Sequence, residues 1–392
     1  MKNENFTIEV GHAAIAKTGN SICGDSFHSM RVQGEGRIIL ALADGLGSGI
    51  KASVLSTLTA SMASRFAESL RDPSESAELI LKTLPVCSVR GMGYSTFTVL
   101  TMRPDGVVQI AGHGNPPVII VRKGKAFIPG CIREPIKSLD GVSIEVERTS
   151  FKAEPLDRLV LVTDGVTQAG IGSDGCSCGF APDVVCAFLE TELNERPDIT
   201  AKELAERVIG KASVIDRGFP GDDTSCVSVH YRRPKKALIL TGPPYDKERD
   251  EEFAKAALQF TGTKIICGGT TASIVSRELK REIKLDITSL RSGEPPAFGM
   301  DGFDLVTEGA LSLSRLLDLL ESGKPADCSP SGKLQSLILN HDEIHFIVGM
   351  SMNAAHHDPT LPVELDIRRN MVKRIGRILQ EKFLKEVRID YV

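Results

Sequence analysis

Hydrophobic and polar positions follow two different grammars along this chain. Up to about residue 232, short apolar runs bounded by Gly, Pro or Asp predict strands over 6–12, 37–43, 94–103, 106–111, 117–121, 158–163 and 225–231. Between them, helical stretches are expected over 49–70, 75–84, 182–193 and 200–215. The run Leu159-Val160-Leu161-Val162 is apolar at every position, the pattern of a strand covered on both faces. Strands cluster before and after the helices instead of alternating with them, so an α+β layered domain is predicted for residues 1–232.

Beyond the linker-like segment Arg232-Arg233-Pro234-Lys235-Lys236 the order changes. Strands at 237–241, 263–267, 303–307, 343–349 and 386–391 alternate with helices at 247–260, 270–281, 309–322 and 364–384. Regular alternation predicts a smaller three-layer α/β domain with a largely parallel sheet over 237–392, serving regulation, ligand sensing or partner binding.

The length of 392 residues supports two cores better than one. With 41% hydrophobic and 25% charged residues, the composition is that of a globular protein. A net charge of −4 gives no global attraction for nucleic acid or anionic membrane. No apolar run reaches membrane-spanning length and the first residues lack a signal core, so a cytoplasmic protein is expected. Nine cysteines without a CxxC pair argue against a disulfide framework and structural zinc, and Cys176-Ser177-Cys178 reads as a loop of small residues.

The candidate chemistry lies in aspartates at strand ends: Gly24-Asp25, Ala43-Asp44-Gly45, Thr163-Asp164-Gly165 and Gly221-Asp222-Asp223-Thr224. One Asp-Gly is ordinary turn chemistry. Several carboxylates emerging where buried strands reach the surface are costly to bring together without cations between them. Oxygen donors with no recurring His or Cys fit Mg²⁺ or Mn²⁺ and not zinc. Two such ions ~3.5–4 Å apart share a carboxylate and activate water for attack on phosphorus.

The ordered motifs Gly24-Asp25, Ala43-Asp44-Gly45-Leu46-Gly47-Ser48-Gly49, Ala111-Gly112-His113-Gly114-Asn115-Pro116-Pro117, Val162-Thr163-Asp164-Gly165-Val166-Thr167-Gln168-Ala169 and Asp222-Asp223-Thr224-Ser225 resemble the metal-dependent PPM protein phosphatases. Within them the chain is similar to the bacterial stage II sporulation protein E branch, over about residues 8–232. The resemblance implies a four-layer αββα sandwich with two Mn²⁺ or Mg²⁺ ions at one end. A water bridging them would attack phosphoserine or phosphothreonine on a phosphorylated regulatory protein. Asp44 would then bridge both ions, the Gly45 carbonyl would complete one, Asp164 and Asp222 would hold the other, and Asp25 would act near the second through water. Asp222 is preferred to Asp223 because the family pattern, Asp-(Asn/Asp)-x-(Ser/Thr), places Ser225 at the hydroxyl position. Lys17 is the only basic residue shortly before Asp25, where members outside this branch often carry a phosphate-gripping arginine. His113 fits a strand-end turn. The helix opening after Gly49 is implicated as a regulatory switch in the related branch, and its start close to Asp44 would let a helix shift move a metal ligand; a rigid packing helix is the alternative reading.

In the second domain, Cys267-Gly268-Gly269-Thr270-Thr271 joins a strand to a helix start, which favours a small anionic ligand near Gly268, Gly269 and Thr270 or serves as a plain capping turn. The loops at Thr241-Gly242-Pro243-Pro244 and Thr307-Glu308-Gly309 end neighbouring strands and would share that crevice. His341, His345, His356 and His357, with Asp342, Glu343 and Asp358 close by, read as solvated turn residues before they read as a metal site. Three functional readings stand at this point: a protein serine/threonine phosphatase with a C-terminal regulatory domain, a non-catalytic signalling or scaffold module of the same shape, and a binuclear phosphohydrolase of a small metabolite.

Overall fold

The computed structural model describes residues 6–32, 34–70, 73–83, 86–87, 92–93, 95–137, 143–172, 179–291, 293–351 and 362–392. They form two compact units, Met1–Arg233 and Pro234–Val392. In unit 1 the elements run β1 (Thr7–Ile15), β2 (Asp25–Arg31), β3 (Ile38–Gly45), α1 (Ile50–Leu70), α2 (Pro73–Thr83), a small ladder of β4 (Val86–Cys87) with β5 (Met92–Gly93), then β6 (Ser95–Met102) and β7 (Val107–His113). They continue with β8 (Ile119–Arg122), β9 (Lys125–Phe127), β10 (Ile132–Lys137), β11 (Ser143–Lys152), β12 (Arg158–Val162), α3 (Asp164–Thr167), α4 (Pro182–Glu195), α5 (Ala201–Ile215) and β13 (Thr224–Arg232).

Two antiparallel sheets result, one ordered β1-β13-β12-β8-β9 and the other β10-β11-β7-β6-β3-β2. The two-residue strand period assigns their faces. On β3, Ile39, Ala41 and Ala43 pack with Ala60, Ala63 and Ala67 of α1 and Ile80 of α2. The intervening Ile38, Leu40 and Leu42 are fully buried and turn to the opposite face. On β12, Val160 and Val162 pack against Leu189 of α4 and Val208 of α5, while Leu159 and Leu161, equally buried, point the other way. Helices therefore cover the outer face of each sheet, giving the αββα layering. His12 of β1 stacks on Phe27 of β2 at 4.8 Å, one contact across the inner layer.

Several elements depart from the expectations. Residues 25–31 form β2 although Ser26, His28 and Ser29 break any apolar alternation. Their polarity is satisfied locally, because the Ser26 hydroxyl bonds Ser56 at 2.7 Å and Thr57 at 2.9 Å, and His28 Nδ1 bonds Ser64 at 2.7 Å, all on α1. The β10–β11 hairpin, β9 and the short α3 were also not expected. The hairpin lies at a sheet edge, with exposed residues alternating with Ile136, Ile144 and Val146. The Cys176-Ser177-Cys178 loop lies outside the described residues.

Unit 2 runs β14 (Lys236–Thr241), α6 (Asp250–Gln259), β15 (Thr263–Cys267), α7 (Gly269–Leu279), β16 (Ile283–Leu285), β17 (Phe298–Met300), β18 (Phe303–Thr307), α8 (Ala310–Ser322), α9 (Pro330–Leu339), β19 (Glu343–Val348), α10 (Pro362–Phe383) and β20 (Glu386–Tyr391). Its sheet is ordered β16-β17-β18-β15-β14-β19-β20, with β18 to β20 parallel and β17 and β16 antiparallel at one edge. Helices α6 and α7 pack on one face, α8, α9 and α10 on the other. Strand order reverses between β14 and β19, the arrangement of a doubly wound fold. The unexpected helix α9 begins with Ser329 accepting a hydrogen bond from the Gly332 amide at 3.0 Å. Among the described residues, no helix is long and apolar enough to cross a membrane.

Candidate functional site: an acidic cluster at one end of the sandwich

Asp25 opens β2 and faces Asp44 on β3 in register, which brings two carboxylates together within one sheet. The other sheet delivers Asp164, immediately after β12, and Asp222-Asp223, immediately before β13. Those ends meet because the Thr163 amide donates to the Ser225 carbonyl at 3.1 Å. Thr163, fully buried, ties the sheets together: its hydroxyl donates to Asp25 Oδ2 at 2.8 Å and accepts from the Ser225 amide at 2.9 Å.

The glycines after the acids have a packing role. A Cβ on Gly45 would collide with the Ala52 carbonyl in the first turns of α1, and one on Gly165 with the Asp223 carbonyl. Neither has a positive φ, so both Asp-Gly pairs are sites of close backbone approach and not of turn strain.

Electrostatically the cluster is unbalanced. Burial, with Asp25, Asp164 and Asp222 beside it, pushes Asp44 up to about 9. Burial raises Asp25 to about 6, against the opposing Thr163 hydrogen bond and with the charges of Asp223 and Asp164 adding to the rise. Asp164 is raised by burial and by Asp222, although Gln168 Nε2 donates to its Oδ2 at 2.9 Å. Asp25 Oδ1, Asp164 Oδ1 and Asp223 Oδ2 are buried without hydrogen-bond partners. Lys17 borders the cluster: its Nζ lies 3.6 Å from Asp222 Oδ1, and its amide donates to Asp223 Oδ1 at 3.0 Å.

Asp222 and Asp223 divide the space. Asp222 is half-exposed and accepts from the Asp223 amide at 3.0 Å. Asp223 is 2% exposed, with Oδ2 turned toward Gly24 and Asp25. All of Asp25, Asp44, Gly45, Asp164 and Asp222 thus gather at one end of the sandwich. Asp223, the alternative weighed against Asp222, lies beside them, and Thr163 and Gln168 join them without having been singled out as functional. The Thr beside an Asp-Gly pair was the available signal for Thr163; nothing in the sequence marks Gln168.

Among the described residues, oxygen donors here exceed the counter-charge and three of them are orphaned, which is what hard divalent cations satisfy. Among the described residues no three His, Cys, Asp or Glu side chains are already arranged to hold one ion, so the donors are collected here without being preset. His113 ends β7 with Nδ1 bonded to the Glu145 carbonyl at 2.9 Å. In unit 2, His341 bonds the Leu337 carbonyl and His345 pairs with Asp390, while His356, His357 and Asp358 lie outside the described residues.

The chain is a protein phosphatase of the PPM class, as its family match shows. The family model described as Stage II sporulation protein E (SpoIIE) matches residues 34–232, just over half of the chain, and the chain belongs to that family. No curated protein matches it. Among solved structures, the phosphatase domain of the Bacillus subtilis cell fate determinant SpoIIE is similar at 19% identity, over 59% of this chain and 95% of that one, with a TM-score of 0.44. A second B. subtilis SpoIIE structure, with a fragment of its regulatory domain, is similar at 20% identity, over 59% and 63% of the two chains, with a TM-score of 0.49. The RsbU and RsbW domains of a Mycobacterium tuberculosis protein give 15% identity, 65% and 68% coverage and a TM-score of 0.47.

Proposed function

We propose that unit 1 hydrolyses phosphoserine or phosphothreonine on a regulatory protein, using two divalent cations held by Asp25, Asp44, Asp164 and Asp222 with the Gly45 carbonyl. The observation that carries this reading is the gathering of carboxylates from four chain segments at one sandwich end, with Asp25, Asp44 and Asp164 raised by burial and by one another and one oxygen each of Asp25, Asp164 and Asp223 buried without a hydrogen-bond partner. When bound, such cations supply the positive charge that lowers the pKa of water and stabilises the phosphoryl oxygens, and Mn²⁺ and Mg²⁺ both suit an all-oxygen donor set.

The side chains divide the remaining work. Asp44, which has Asp25, Asp164 and Asp222 as neighbours, would serve both cations, with Asp164 and Asp222 contributed by the second sheet. Thr163 fixes Asp25 by its hydrogen bond, so one carboxylate oxygen is committed and the other stays available. Gln168 fixes Asp164 in the same manner. Lys17 reaches the outer edge of the cluster, where its ammonium meets an incoming phosphate monoester before the buried acids do. Unit 2 is assigned a regulatory or recruiting role, supported by its own independent core.

Steady-state hydrolysis of a phosphoserine peptide with Mn²⁺ or Mg²⁺, for the native chain and Asp44→Asn, tests the reading. Equal turnover by the two proteins overturns it.

A further inference from the structure

We propose that unit 2 pairs with a second copy of this chain through the free edge of β20, the two strands running antiparallel about a two-fold axis at Ile389. The inference is independent of the phosphatase reading and concerns a different part of the chain.

The sheet of unit 2 ends in β16 on one side and in β20 on the other. β16 is three residues long and offers little ladder, whereas β20 runs for six, Glu386–Tyr391. Toward β19, the Glu386 amide donates to the Asp342 carbonyl at 2.8 Å and the Val392 amide to the Val348 carbonyl at 3.0 Å. Every second residue of a strand turns its backbone groups to the same neighbour. Residues 386, 388, 390 and 392 therefore serve β19, and Val387, Ile389 and Tyr391 present their amides and carbonyls outward. Among the described residues no further strand lies on that side. An edge of this kind is a template for another strand.

The side chains of β20 select the partner. Val387 and Ile389 pack into the core beneath α10, and Arg369 of α10 lies 5.3 Å over the Tyr391 ring. Glu386, Arg388 and Asp390 stand on the opposite face. An antiparallel copy centred on Ile389 sets that residue against its own counterpart and Val387 against Tyr391, so all three outward residues form hydrogen-bonded pairs. On the charged face, Arg388 then meets Asp390 of the second copy, and Asp390 meets Arg388. The Arg388 side chain is 72% exposed and lies 2.7 Å from Asp390 Oδ2 of its own strand, while His345 Nε2 holds the same carboxylate at 2.9 Å. The guanidinium is thus already directed at this acid and remains open to the copy's.

Neighbouring registers fail. A centre at Arg388 opposes that residue to itself and Glu386 to Asp390, and a centre at Asp390 opposes two aspartates; like charges directly opposite are destabilising. A centre at Val387 needs the Lys385 amide, which is already given to the Leu379 carbonyl at 2.9 Å. A strand of unrelated sequence would not require β20 to complement itself about one residue; a second copy does.

Sedimentation velocity of the full chain over a range of concentrations is the test, and a reversible dimer is expected. Arg388→Glu, at an exposed position, turns both attractions between the copies into repulsions and should weaken the dimer about tenfold or more. Combining Arg388→Glu with Asp390→Arg reverses both charges and should restore most of the affinity. Cysteine cross-linking reads the register separately. Residue 389 faces its counterpart with Cα atoms about 5.5 Å apart, within disulfide reach, whereas residue 387 is displaced from its counterpart by about 14 Å along the strand. Oxidised Ile389→Cys should give a covalent dimer beyond the level of the native chain, and Val387→Cys should not. A monomer at every concentration, an unweakened dimer in Arg388→Glu, no recovery in the double variant, or equal cross-linking at 387 and 389 would each overturn the proposal.

Discussion

Gly45 and Ala52 lie so close that the backbone carbonyl of Ala52 occupies the space a side chain at Gly45 would need. The residue after the central acid of the cluster is thereby locked against the start of α1. A displacement of that helix would change the volume around Asp44, as the switch reading of the segment after Gly49 requires and the rigid-helix reading does not.

Gly45→Ala therefore forces α1 away from β3. The expected result is a loss of about 1–3 kcal/mol, as for overpacking against backbone that cannot yield, together with loss of phosphatase turnover. Urea denaturation with the native protein as reference checks the first, and peptide hydrolysis checks the second. Native stability and activity in the alanine variant would show that α1 moves freely.

Asp44→Asn separates stability from catalysis. Replacing a buried acid that the cation-free folded state holds protonated by a neutral amide should leave that state at least as stable as the native chain. Turnover should fall by about 10²-fold or more, the order lost when one preorganised electrostatic group is removed from a reaction centre. Thermal unfolding in EDTA and steady-state kinetics with Mn²⁺ measure the two effects on the same preparation.

The pH dependence of the cation-free protein follows from the raised acids. Asp44 at about 9 and Asp25 at about 6 hold protons in the folded state that the unfolded chain releases near pH 4. A raised folded pKa gives stability that is present at low pH and lost as pH climbs. Melting temperature in EDTA should drop between pH 5 and pH 9, by about 2–4 °C for each kcal/mol lost, and saturating Mn²⁺ should flatten or reverse the slope. A cation-free melting temperature that rises across that window would mean that the cluster is ionised and balanced by charges other than those described.

Thr163→Val tests the tie between the sheets. It leaves Asp25 Oδ2 and the Ser225 amide, both buried, without their hydroxyl partner. A cost of about 1–3 kcal/mol is expected, the range for a stranded buried polar group. Cation affinity should weaken as well, because Asp25 loses its orientation; isothermal titration with Mn²⁺ reads that directly.

Much of this molecule was legible in its residues, and the exceptions share a cause. Strands β3 and β12 announce themselves through the apolar runs 38–43 and 159–162, buried on both faces, and β13 through its alternating Val227, Val229 and Tyr231. Strand β2 hides because its outer partners are the hydroxyls of Ser56, Thr57 and Ser64, so polar residues sit where an apolar face would be sought. Helix α9 hides behind Gly332, which is required because a Cβ there would collide with Asp327, a constraint made by a neighbouring turn and invisible to helix propensity. The acids of the site could be picked out by their place at strand ends. The reason for the glycines beside them could not, since it lies in Ala52 and Asp223, residues that become neighbours only after folding.

Asp25 and Asp44 belong to one sheet, while Asp164 and Asp222 are carried by the other. A cation that engages all of them is a clasp between the two halves of the sandwich, holding together what carboxylate repulsion pushes apart. Cation affinity and resistance to separation of the layers are then one thermodynamic quantity seen from two directions. Hydrogen exchange in β3 and β12 should slow in step as Mn²⁺ is added, even though the two strands share no ladder.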